Sequence, residues 1–251
     1  MPKHHIATSP AAQDKSCSHI ACNDCSIFNL CHTVGGDVDL SLLDTLVKNR
    51  RTFKRGEFLY RIGQPFKAIY AIRSGSIKTS ILTDDGRAQV TGFHIAGELL
   101  ALNAIVTNQY TSEACTLETT SVCEVPIERF DELCEISPGL QYQMMKIMSG
   151  EILHHQELMV LLGKKNAEER MATYLLNLSQ RFAKRNYSPL QFNLSMSRSD
   201  IGNYLGLAEE TVCRILARFH DDGLIVTRRR QVQINDLARL QAVAHTKPII
   251  A

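Results

Sequence analysis

Four of the eight cysteines of this 251-residue chain crowd into one short stretch, CSHIACNDCSIFNLC, from Cys17 to Cys31. Thiolate is the softest common side-chain ligand and suits zinc or iron–sulfur clusters. The spacing Cys22-x2-Cys25-x5-Cys31 offers three close ligands, and a tetrahedral or cubane site needs a fourth. Cys17 is the nearest spare; Cys115, Cys123 and Cys134 lie farther along. With Cys17 as fourth ligand the site is a local knot with little grip on the rest. With a distant cysteine it ties the N-terminal segment to a folded body. Spacing alone leaves zinc and iron–sulfur equally compatible. A redox disulfide through Cys22 and Cys25 also fits C-x-x-C, but it leaves Cys31 unexplained. Residues 1–16 contain no apolar stretch that an exporter would read, and no run of about 18 apolar residues occurs. A cytoplasmic protein with no membrane association is expected, and there thiols bind metal or do redox work rather than form structural disulfides.

A second stretch reads as a DNA-binding device. RSDIGNYLGLAEETVCRILARF, Arg198 to Phe219, fits a helix-turn-helix. Ile201 and Leu205 bury the first helix, Gly202 allows close approach, and Gly206 sits where the turn wants positive φ. Leu207, Val212 and Ile215 pin the second helix. Its opposite face carries Glu209, Glu210, Cys213, Arg214 and Arg218. Glu210 and Arg214, four apart, can both enter a major groove, where arginine bonds guanine O6 and N7 and a carboxylate accepts from cytosine N4. The plainer account is a surface pair at i,i+4 worth a few tenths of a kcal/mol. Arg228, Arg229 and Arg230 follow at the turn of a hairpin, suited to phosphates or simply to solvent.

The elements that must hold these residues divide the chain into four. Residues 1–35 are polar and cysteine-rich, without the periodicity to fold unaided. Residues 36–139 read as short strands between glycine turns at Gly56, Gly63, Gly75, Gly86, Gly92 and Gly97, with TDDGRA as a hairpin turn; an antiparallel barrel or roll is expected. Residues 140–167 form a long helix, started at Ser137-Pro138. Along it Met144, Met148, Ile152, His155, Met159 and Leu162 follow a 4,4,3,4,3 spacing, a coiled-coil-like seam for a two-fold dimer; packing on its own domain is the simpler alternative. Residues 168–251 are helical first and end in short strand-like runs around GLIVTRRRQVQIN. Apolar content of 44% supplies cores, the absence of tryptophan argues against single-strand stacking, and a net charge of +2 requires any basic surface to be local.

The segments CNDCSIFNLC, YAIRSGSIK, TGFHIAGEL, LETTSVCEVP, QMMKIMSGEI, LLGKKNAEER and RSDIGNYLGL make the chain resemble the oxygen-sensing branch of the CRP/FNR family of transcription regulators, from about Cys22 almost to the C-terminus. The resemblance implies an α+β fold: a cyclic-nucleotide-binding-like β-roll (double-stranded β-helix or jelly roll), a long dimerisation helix and a C-terminal winged helix-turn-helix. It implies that Cys22, Cys25, Cys31 and Cys123 ligate one [4Fe-4S] cluster per subunit, with Cys17, Cys115, Cys134 and Cys213 outside the ligand set. It further implies a homodimer that binds double-stranded DNA at palindromic promoter sites resembling TTGAT–N4–ATCAA and contacts RNA polymerase. Genes of anaerobic metabolism are then activated or repressed. Oxygen converts the cluster to a [2Fe-2S] form and destroys it, and the monomers leave DNA.

Two positions depart from the branch. Its recognition helix has the order Glu-x-x-Ser-Arg; here Cys213 stands for the serine between Glu210 and Arg214, so the same core site with relaxed discrimination at one base is expected. His155 replaces an aspartate on the seam, which predicts easier and more pH-sensitive dimerisation, unless it merely faces solvent. A cyclic-nucleotide-activated regulator would show an Arg-Ser pair shortly after Gly97-Glu98-Leu99; NAIVTNQYTSEAC supplies no arginine, so no cyclic nucleotide is expected. A haem sensor could use only His94, more simply a barrel histidine. No catalytic order, phosphate-cradling loop or hydrolase metal motif points to an enzyme.

Overall fold

A computed structural model describes residues 49–129, 135 and 138–245. Eight strands come first: β1 (Asn49–Phe53), β2 (Phe58–Tyr60), β3 (Ala68–Ser74), β4 (Ser76–Leu82), β5 (Ala88–Ile95), β6 (Leu99–Leu100), β7 (Glu113–Thr116) and β8 (Thr120–Pro126). They form two antiparallel sheets, ordered β1-β8-β3-β6 and β2-β7-β4-β5. The chain passes back and forth between the sheets, which wraps it into a roll. Alternation along the strands sends Phe53, Tyr70, Ile72, Ile77, Leu100 and Val122 into one core with Tyr60 and Tyr110. The TDDGRA turn closes as expected: Thr83 N donates to Arg87 O at 2.9 Å and Gly86 takes φ 80°.

One of the expected glycine turns is not a turn. Gly92 lies inside β5, at a register irregularity opposite Thr79 and Ser80. A Cβ there would stand 2.7 Å from the His94 ring. The residue makes room for a side chain rather than a reversal.

Five helices and three strands complete the α+β fold of the described residues: α1 (Pro138–Lys164), α2 (Ala167–Ala183), β9 (Gln191–Asn193), α3 (Arg198–Leu205), α4 (Glu209–Asp221), β10 (Ile225–Arg228), β11 (Gln231–Ile234) and α5 (Leu237–Val243). The proline at the first position of α1 gives up an amide that no helix could satisfy. Asn166 with Glu169 and Ser197 with Asp200 form capping boxes that start α2 and α3. The small sheet runs β10-β11-β9. Met171, Leu175 and Leu178 of α2 pack with Ile201, Leu205, Val212, Ile215, Phe219, Ile225, Val232 and Leu240. That core also takes in Val90 and Phe93 from β5 and Leu161 from α1, so roll, long helix and C-terminal unit share one apolar contact zone.

Two elements escaped the sequence reading. β9 has three residues and a single buried side chain, Phe192, too short to show a period. α5 follows β11 after a two-residue break and buries only Leu240 fully.

Candidate functional site

α3 and α4 form the helix-turn-helix. Gly206 ends α3 with φ 64°, a left-handed conformation that favours glycine. Gly202 is required for a different reason: a Cβ there would meet the Leu207 carbonyl oxygen at 2.6 Å. Ile201 and Leu205 are fully buried, and Val212, Ile215, Leu216 and Phe219 bury one face of α4. Leu207 is only half-buried. Glu209, Glu210, Cys213 and Arg214 stand in solvent on the other face. Among the described residues neither Glu210 nor Arg214 takes part in an ion pair, so the plain surface-pair account does not hold for them. The N-cap Ala208 makes no side-chain hydrogen bond, which leaves the first amides of α4 open toward whatever it faces.

Arg218 differs. It is exposed, but its guanidinium is paired with the Glu168 carboxylate in the first turn of α2. The sequence reading put it on the reading face; the fold ties it back to its own domain, because Glu168 arrives from a helix 50 residues away. At the wing, β10 and β11 pair from Ile225↔Ile234 to Arg228↔Gln231. Arg229 holds the turn with φ 56°, and Arg228, Arg229 and Arg230 are exposed there. Thr227 N donates to His220 Nδ1 at 3.4 Å, which fixes the wing to the end of α4.

α1 carries the expected row. Met148, Ile152, Met159 and Leu162 are exposed, with Ile152 at 59% and Met159 at 67%. His155 is exposed beside them, its Nδ1 2.8 Å from the Glu151 carbonyl oxygen, so it also makes contact with its own helix. Met144 departs from the row: it is 8% exposed and belongs to the core of the roll, because the first turns of α1 lie against that domain. The reading missed Met145, Leu153 and Val160, all more than half exposed, which widen the stripe. Met145 stands seven residues before Ile152 and Leu153 seven before Val160, so they repeat beside the 4,4,3,4,3 row, one position off it, and a single-row reading passes over them.

Of the four cysteines implied as ligands, Cys22, Cys25 and Cys31 lie outside the described residues, as do Cys17 and Cys134. Cys123 is on β8, buried, with Arg50 of β1 and Ala71 of β3 as its cross-strand partners. Thr120 and Val122 face the interior, so alternation turns Cys123 to the opposite face of that sheet. Cys115 lies on the other sheet, half-buried, its thiol pushed up by burial. Cys213 is exposed on the reading helix. Among the described residues no group of three His, Cys, Asp or Glu side chains could hold a metal.

His94 is a barrel histidine. Its Nε2 lies 3.1 Å from Thr79 Oγ1 and its Nδ1 3.9 Å from Glu98. Burial pushes its pKa down to about 4, although Glu98 pulls the other way. No described helix is long and apolar enough to cross a membrane.

Comparison with known proteins fits this geometry. Residues 50–137 match the model of the cyclic nucleotide-binding domain, and residues 169–243 that of the Crp-like helix-turn-helix domain. The transcriptional activator protein anr of Pseudomonas aeruginosa is 50% identical over 224 residues, covering 89% of this chain and 92% of that protein. The fumarate and nitrate reduction regulatory protein of Escherichia coli is 44% identical over 232 residues, covering 92% and 93%. The structure of FixK2 from Bradyrhizobium japonicum superposes with a TM-score of 0.72 at 28% identity, covering 80% of this chain and 98% of that one.

Proposed function

The chain belongs to the CRP/FNR family, dimeric DNA-binding transcription regulators that are not enzymes, and from that premise we propose that it is the oxygen-responsive kind. In this reading Cys22, Cys25, Cys31 and Cys123 hold one [4Fe-4S] cluster per subunit, and the anaerobic dimer binds palindromes resembling TTGAT–N4–ATCAA. The observation that carries it is the position of Cys123. A thiol from the middle of a roll strand lets three thiols near the N-terminus be tied to the domain that packs against α1. Four thiols are a suitable donor set for iron and sulfide, and Cys123 sits buried beside the small Ala71 on the face of the sheet turned away from the core of the roll. When bound, the cluster supplies sensitivity to oxygen.

The residues of the chain do the rest. The stripe of Met145, Met148, Ile152, Leu153, Met159 and Val160 is exposed among the described residues, and an isologous pairing with a second subunit covers it. Two copies of α4 then meet successive major-groove faces. Arg214 donates to guanine, Glu210 accepts from cytosine, and Cys213 lies against a thymine methyl. Arg228, Arg229 and Arg230 meet phosphates, which position the head without specifying sequence. The bound dimer contacts RNA polymerase and activates or represses genes of anaerobic metabolism. Cyclic nucleotide has no part in this reading, because the stretch NAIVTNQYTSEAC after Gly97-Glu98-Leu99 supplies no arginine to hold its phosphate.

Iron and sulfide analysis with an absorption spectrum of protein purified under strict anoxia tests the reading. Four irons and four sulfides per chain are expected, with loss of both in Cys123→Ala. Iron-free protein, or zinc in its place, refutes the cluster.

A further inference from the structure

Gly97-Glu98-Leu99 stands where a ligand-binding roll would meet its ligand, yet Glu98 is turned to another use. Its carboxylate takes three hydrogen bonds from the DNA-binding unit, two from Arg181 of α2 and one from Arg185 in the turn just after it. Arg181 Nε donates to Oε1 at 2.9 Å and Arg181 Nη2 to Oε2 at 2.6 Å; Arg185 Nη2 donates to Oε1 at 2.8 Å. All three side chains are less than one-fifth exposed. Burial opposes the Glu98 charge, but the two guanidiniums outweigh it and hold the carboxyl below its usual range. The same Arg181 also donates to the Phe93 carbonyl oxygen. Charge-assisted bonds of this density, closed off from water, have defined geometry.

Two further contacts join the same partners. β5 is the edge strand of its sheet, and Asn203 of α3 reads that edge as a neighbouring strand would. Val90 N donates to Asn203 Oδ1 at 2.6 Å, and Asn203 Nδ2 donates to Ala88 O at 2.9 Å. Lys78 of β4 pairs with Asp200, the residue that completes the α3 cap, at 2.5 Å. Phe93 packs edge-on to Tyr204 of α3, with centroids 5.2 Å apart. The roll therefore grips α2 and α3, the two helices against which the reading helix α4 is packed.

We propose that Glu98 is a positioning residue for DNA reading: with Asn203 it latches the helix-turn-helix to the roll of the same subunit and so sets the separation and rotation of the two reading helices in the dimer. This rests on the reading that the dimer binds two half-sites. Each added base pair of spacer moves a half-site by about 3.4 Å and turns it by about 34°, so a latched pair of heads accepts one spacing and an unlatched pair accepts several.

The test is a titration of the full-length protein, purified under anoxia, against palindromes whose half-sites are separated by three, four, five or six base pairs. It is run on the natural chain, on Glu98→Gln and on Asn203→Ala, which removes only the contact to the edge of β5. The natural chain should prefer one spacer by about tenfold or more, since half-site spacing is fixed by the geometry of the dimer. Both variants should lose most of that preference, to within about threefold, while half-site base substitutions cost them the same factor as before. Should Glu98→Gln fail to fold, as judged by circular dichroism, Asn203→Ala decides. Unchanged spacer preference in a folded variant overturns the latch and leaves the DNA reading intact. Failure of the natural chain to bind any spacer overturns the DNA reading and the latch with it.

Discussion

α4 and α1 are both amphipathic helices, and they dispose of their apolar faces in opposite ways. α4 buries Val212, Ile215, Leu216 and Phe219 in its own domain and leaves Glu210, Cys213 and Arg214 outward. α1 buries Met144 and Leu161 at its two ends and leaves Met145, Ile152, Leu153, Met159 and Val160 in water between them. One helix is complete within a single chain and presents chemistry. The other is incomplete among the described residues and presents apolar area, which a second copy covers in the proposed dimer. Reading DNA and pairing subunits are thus separable in this fold, and a substitution can strike one without the other.

The largest expected effect tests that separation. Phe219 is 1% exposed, and Phe219→Ala should cost about 3–5 kcal/mol of unfolding free energy through lost burial and a residual cavity. Ile152→Ala should change the stability of the monomer by less than about 0.5 kcal/mol while weakening the dimer in sedimentation. Equal losses in denaturant unfolding of the two monomers would break the comparison.

Next comes acid. The folded His94 titrates near 4 against an ordinary 6.5, and burial is the main cause. The unfolded chain therefore takes up a proton that the folded chain refuses. The stability so contributed is full above pH 6.5, declines as pH falls toward 4 and is gone below that, about 3 kcal/mol in all. His154 is displaced the same way, chiefly by burial. Glu98, held low, adds a loss at still lower pH, since its contribution is present above its ordinary value of 4.5 and disappears as the folded carboxyl takes a proton. Unfolding midpoints across pH 4–7 should fall with acid, and His94→Gln should flatten the slope. Because His94 lies where the roll meets α2, this loss should appear together with loss of the contact between the two domains.

Smaller effects sharpen the account of α4. Arg214→Ala should lower affinity by about 1–3 kcal/mol, concentrated at one G·C pair of each half-site, without changing the melting temperature. A uniform loss over all sequences would make Arg214 a phosphate contact instead. Arg218→Ala should change DNA affinity least and stability by no more than about 1 kcal/mol, because its exposed pair with Glu168 is screened by solvent.

Much of the helix-turn-helix was legible because it is local. Ile201, Leu205, Val212 and Ile215 follow one helical period, and Gly202 and Gly206 are dictated by backbone within a few residues. The hairpin around Gly86 was legible for the same reason. Gly92 was misread because turns and bulges both call for glycine, and only the His94 ring packed against it distinguishes them. The pairing of Arg218 was not legible because its partner is 50 residues distant, and nothing in the spacing around it reports Glu168. Cys123 was linked to the N-terminal thiols by family resemblance; in the fold it is a buried strand residue opposite Arg50 and Ala71.

Taken alone, the amino-acid order determined most of the longer strands and helices, most of the turns between them, and which side chains are capable of ligating metal or reading bases. Those properties depend on backbone preference and on periodicities of a few residues. Only the tertiary structure decided which apolar stripe stays uncovered, that Arg218 turns back to α2, and that Glu98 serves Arg181 and Arg185 rather than a ligand. Such outcomes depend on contacts between residues more than 80 positions apart in the Glu98 case, where burial and charge pairing act through space and leave no trace in local pattern.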